Sequence, residues 1–90
     1  MDKITVKHIS ENEIKEKGIR TWSTWSCDKS EFPWEYSERE SCYIMEGQVE
    51  VKTKSAYTIS FGVGDFVVFP QGLKCTWKVK QAVYKHFLFG

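Results

Sequence analysis

Three side chains in this 90-residue chain carry the groups best suited to acid–base and nucleophilic chemistry: Glu40, Cys75 and His86. A carboxylate among aromatic rings can act as a general acid or base, or can simply anchor a fold through hydrogen bonds. A thiol becomes a nucleophile when an imidazole stands beside it. Without that neighbour, Cys75 is a small buried hydrophobe. Around these three, the sequence supplies Trp34, Tyr36, Cys42, Trp77 and Tyr84. Aromatic walls with a few polar groups are the usual lining of a small-molecule site. The same rings can instead fill a narrow barrel completely.

The elements that must position these residues are mostly strands. Gln48-Val49-Glu50-Val51-Lys52-Thr53 alternates strictly, which places Val49, Val51 and Thr53 on a core face. Lys74-Cys75-Thr76-Trp77-Lys78-Val79-Lys80 alternates again, with Cys75, Trp77 and Val79 together. Phe32-Pro33-Trp34-Glu35-Tyr36 reads as a strand, and Glu40 to Met45 as another, bent at Gly47 into the next. Phe66 to Phe69 is apolar on both parities, so it predicts cover on both faces, by a second sheet or a second copy of the chain. A two-residue Lys80-Gln81 loop would pair Val79 with Ala82, Trp77 with Tyr84 and Cys75 with His86. In that register the lysines at 74, 78, 80 and 85 form the outer face of the last hairpin. Ser10 and Glu13 form a capping box, and Gly18 supplies a stop, which predicts a helix over 11–17. Trp22 and Trp25 follow in an extended segment over the edge of the core.

Bulk properties narrow the class. Ninety residues make one domain. A net charge of +1 gives no field for nucleic acid or anionic lipid. No apolar run approaches the roughly 20 residues of a membrane helix, and residues 1–4 carry no leader-like stretch. Three cysteines without Cys-x-x-Cys spacing point to reduced thiols, and hence to a cytoplasmic protein. About eight short strands predict an all-β sandwich or barrel.

Two spacings resemble the motifs of the cupins. Six residues separate Glu40 from Gly47, as in the first cupin motif. Gly64, Pro70 and Gly72 keep the second, in which a histidine follows after two intervening residues. Trp22-x-x-Trp25, Phe32-Pro33-Trp34, Glu40-x-Cys42-Tyr43 and Lys85-His86 resemble the single-domain branch related to ureidoglycine aminohydrolase. The resemblance implies a double-stranded β-helix, or jelly-roll barrel, with its core over about 28–90 and the N-terminal strand, helix and Trp-rich segment over 1–27. It also implies inward positions for Trp34, Tyr36, Glu40, Cys42, Cys75, Trp77, Tyr84 and His86.

The departures decide what the resemblance can carry. The paired histidines of the first motif fall on Trp34 and Tyr36, or on Pro33 and Glu35, and the third is Cys75. Imidazole donors suited to iron or manganese are therefore missing, and no metal or other cofactor is expected. The expectation is a homodimer that binds a small molecule in an aromatic barrel without the histidine metal site. The alternative is a small enzyme acting on a nitrogenous or carbonyl metabolite through Glu40 with Cys75.

Overall fold

The computed structural model describes residues 3–55 and 57–90. The first two residues of the N-terminus and Ala56, in one connection, lie outside this range. The described residues form seven antiparallel strands and two short helices. No helix among them is long and apolar enough to cross a membrane.

Two long strands organise the sheet. β4 (Glu40–Thr53) and β7 (Lys74–Phe89) pair along nearly their whole length. Each then takes different outer neighbours in its two halves. β4 pairs with β6 (Asp65–Phe69) through residues 40–43, and with β5 (Thr58–Gly62) through 48–52. β7 pairs with β3 (Ser30–Glu35) through 74–79, and with β2 (Ser23–Cys27) through 83–87. β1 (Thr5–His8) closes one edge against β6. The result is the jelly-roll architecture expected of a cupin, with seven strands where about eight were anticipated.

Two pairs of expected strands merge into β4 and β7, and the Trp-rich segment adds β2. Gly47 does not separate two strands; it sits inside β4, where the register with β7 slips between Ile44 and Val49. Its φ is +99°, and a Cβ there would strike the Ala82 carbonyl and lie 2.7 Å from Val83 Cα. Only glycine allows the two backbones to approach this closely. The bulge also switches parity. Glu40, Cys42 and Ile44 are buried before it, and Val49, Val51 and Thr53 after it, so both halves present one concave face. β7 likewise runs straight through Lys80-Gln81, and no terminal hairpin forms.

The concave face holds the main core, including Val49, Val51, Phe61, Val67, Phe69, Trp77 and Val79. The convex face is covered by the N-terminal segment. Helix α1 (Glu11–Lys17) carries the predicted capping box, with Ser10 Oγ accepting from the Glu13 amide and Glu13 reaching back to the Ser10 amide. Gly18 ends it in the left-handed conformation, φ +66°. A 3-10 turn at Ile19–Thr21 follows. Ile9, Ile14 and Ile19 then pack on Trp22, Tyr43 and Phe66. Phe66, at the start of the Phe66–Phe69 run, thus obtains cover from the chain's own N-terminal segment.

Candidate functional site

On the concave face, β2, β3, β4 and β7 surround a cavity of about 240 Å³. Trp25, Phe32, Trp34, Tyr36, Trp77, Phe87 and Phe89 form its walls, with Glu40 and Lys85 the two charged groups that line it. Pairing explains the lining. Phe32 is opposite Trp77 across β3 and β7, and residues directly opposed in a sheet share a face. Trp25 lies opposite Lys85 across β2 and β7. The Phe32 and Trp77 rings are nearly parallel, 15° apart with centroids at 6.2 Å. Trp25 meets Trp77 edge-on at 6.0 Å. Trp25, Trp34 and Phe89 keep much of their surface exposed and form the mouth.

An ion pair lies within this aromatic wall. Lys85 Nζ donates to Glu40 Oε2 at 2.6 Å, and the two side chains are only 7% and 4% exposed. The ammonium also lies 4.7 Å from the Trp77 ring centroid, 5.1 Å from Trp25 and 5.8 Å from Phe87. A cation over ring faces gains electrostatic attraction, more so when desolvated. Close by, Tyr36 stacks on Phe69 at 4.7 Å, and its hydroxyl accepts from the Trp77 indole N–H at 3.0 Å. Burial, then the negative charge of Glu40, pushes the phenol far above its ordinary pKa, so Tyr36 keeps its proton.

The sequence-predicted residues divide into three groups. Trp34, Tyr36, Glu40 and Trp77 line the cavity as expected. Cys42 and Cys75 are buried, but neither lines it. Cys42 is fully enclosed in the core, and burial pushes its thiol up to about 12. Cys75 is flanked by Trp34 and Thr53 in neighbouring strands. It opens on a separate surface groove with Lys52, Lys54 and Lys74, and burial raises its thiol to about 11. Tyr84 and His86 require correction, because they sit on the convex face. His86 Nδ1 is 3.3 Å from the Trp22 carbonyl oxygen, a bond that needs the proton on Nδ1. Cys75 and His86 are therefore not opposed, and the expected pairing of thiol with imidazole does not form.

Five lining residues were missed, Trp25, Phe32, Lys85, Phe87 and Phe89, and Lys85 is the charged one among them. The hairpin register placed it outside with Lys74, Lys78 and Lys80, which are indeed exposed. In a continuous β7 the odd parity of Cys75, Trp77 and Val79 carries on through Val83, Lys85 and Phe87. The available signal was the poor turn chemistry of Lys80-Gln81.

Comparison with known proteins fits this geometry. The family model of the EutQ-like cupin domain matches residues 14–87. The chain belongs to the EutQ-like cupin family. A DUF861-family protein of Thermotoga maritima is 38% identical to this cupin, over 98% of this chain and 100% of that one, with a TM-score of 0.96. The EutQ protein of Clostridium difficile shares the fold at 15% identity and a TM-score of 0.69, over 98% of this chain and 68% of that one. A putative ethanolamine utilization protein Q of Salmonella typhimurium does so at 16% and 0.67, over 96% and 68%. No curated protein matches the chain.

The metal expected of many cupins does not suit the residues of this EutQ-like cupin. The motif positions hold Trp34 and Tyr36, or Pro33 and Glu35, and then Cys75. No group of three or more His, Cys, Asp or Glu side chains comes together among the described residues. Glu40, the one motif carboxylate, is already bonded to Lys85. Its positive partner is an ammonium carried by the chain itself.

Proposed function

We propose that this cupin binds a small molecule in the cavity lined by Glu40 and Lys85, without a metal. The observation that carries this reading is the ion pair itself. A buried pair pays a desolvation cost that an apolar pair of similar volume would avoid. Here it lines an open cavity whose mouth keeps three large rings exposed, an arrangement that favours recognition over simple filling. The volume suits a molecule of roughly ten non-hydrogen atoms. A titration of small fragments followed by the indole N–H signals of Trp25, Trp34 and Trp77 tests it. Saturable shifts of those signals are expected. A broad fragment set that shifts none of them overturns the reading.

The second reading is a small enzyme on a nitrogenous or carbonyl metabolite, in the manner of ureidoglycine aminohydrolase. It is favoured by an acid–base pair at 2.6 Å beside a cavity, with Lys85 in the role first given to Cys75. Turnover lost in both Glu40→Gln and Lys85→Met would support it. A cytoplasmic location suits three cysteines that are all free thiols. A homodimer is proposed through the exposed Leu88 and Phe89. Light scattering at the mass of a single chain would reject it.

A further inference from the structure

The hydrogen-bonding groups left open around the Glu40–Lys85 pair define a ligand class. Lys85 has three donor protons and spends one on Glu40 Oε2. It makes no other hydrogen bond among the described residues. Glu40 Oε1 accepts none among them. Yet no fully enclosed side-chain nitrogen or oxygen there lacks a partner. Oε1 is therefore not sealed in the core, and since Glu40 lines the cavity, that oxygen opens on it. A carboxylate that is 3% exposed and retains an open oxygen is an acceptor waiting for a donor. Beside it stands an ammonium with protons to give.

We propose that the cavity selects a neutral, planar amide, a compact molecule with an N–H and a C=O side by side. The ligand N–H would meet Glu40 Oε1, and the ligand carbonyl would accept from Lys85 Nζ. This deepens the binding reading and rests on it. Charge decides against the alternatives. The pair is neutral as a whole, so an anion loses to Glu40 what it gains from Lys85, and its own desolvation goes uncompensated. A cation faces the mirror of that balance. An ester or ether of the same shape offers Oε1 no donor in place of the water it displaces. The near-parallel Phe32 and Trp77 rings in the cavity wall favour a planar body.

The test is a backbone-amide NMR titration of the full chain with four probes of similar size: 2-pyridone, 2-methoxypyridine, benzoate and benzylammonium. The expected result is that 2-pyridone shifts Glu40 and Lys85 and binds at least tenfold more tightly than each of the others. Glu40→Gln leaves Lys85 uncompensated and moves the preference toward benzoate. Lys85→Met moves it toward benzylammonium. If either variant fails to fold, the wild-type ranking still decides. Equal or tighter binding of 2-methoxypyridine or of either ion overturns the amide class and leaves a binding cavity. No shift at Glu40 or Lys85 with any of the four overturns the cavity reading as well.

Discussion

The two faces of the β4–β7 sheet use the same kinds of side chain to opposite ends. On the convex face, Trp22, Tyr43 and Phe66 pack against Ile9, Ile14 and Ile19, with His86 bonded to the Trp22 carbonyl. On the concave face, Trp25, Trp77 and Phe87 surround an ion pair and leave space. Neighbours in sequence are parted between the two. Trp22 goes with the convex cluster and Trp25 with the cavity; His86 faces one way and Lys85 the other. Aromatic content alone therefore does not mark a site. A site appears where rings meet a polar pair that the core did not require.

The largest break in that contrast should come from Lys85→Met. It strands Glu40 without its partner, and removing one member of a buried pair costs about 3–5 kcal/mol. Urea unfolding should show this loss, and Glu40→Leu combined with Lys85→Met should recover most of it. A double variant no more stable than the single one would mean that the pair has no mutual role. On the convex face, Trp22→Ala should cost about 2 kcal/mol, below the value for a fully buried tryptophan because Trp22 is only half-buried. It should leave ligand-induced shifts in the cavity unchanged; a change there would show that the two faces are coupled.

Alkaline pH offers a third, smaller contrast. The Cys42 thiol ionises at about 12 in the folded chain against an ordinary 9.0, because burial disfavours the thiolate. The unfolded chain releases that proton first as pH rises. Stability from this group is complete below pH 9.0 and falls toward pH 12, by about 1.4 kcal/mol per pH unit. Cys42→Ala should make that part of the stability profile shallower, leaving the share due to Cys75 and Tyr36. A wild-type and variant difference that stays constant from pH 8 to 11 would count against the assignment. The smallest effect on stability should come from Trp34→Ala at the exposed mouth, below about 1 kcal/mol. The same change should weaken 2-pyridone binding several-fold, so it separates recognition from folding.

Much of this arrangement was legible in the chain. The capping box at Ser10 and Glu13, the stop at Gly18 and the inward set Val49, Val51 and Thr53 follow from local chemistry and a period of two. Trp77 follows from a clean alternation, whereas Trp34, Tyr36 and Glu40 were placed on the cavity side by the cupin resemblance joined to strand alternation. The inverted faces after residue 80 came from one junction. A hairpin at Lys80-Gln81 keeps residue 77 on the same face as 84, whereas a continuous strand keeps it with 85 and 87. Both readings satisfy the alternation up to Val79. The choice inverts every later residue, which brought Tyr84 and His86 inside and put Lys85 out. The general preference for lysine on surfaces then reinforced the wrong choice, because only the distant Glu40 makes an inward lysine tolerable.

The close backbone contact at Gly47 has a consequence for how sequence variation can spread through this protein. Glu40 projects from β4 and Lys85 from β7, so their separation depends on how those two backbones are held. They approach closely at position 47, where any side chain would collide with residues 82 and 83. Substitutions at the mouth alter only what enters the cavity. A substitution at 47 would spread the two strands and pull the charges apart. In a library of random variants selected for ligand capture, position 47 should therefore be as intolerant as positions 40 and 85, although it touches nothing that binds.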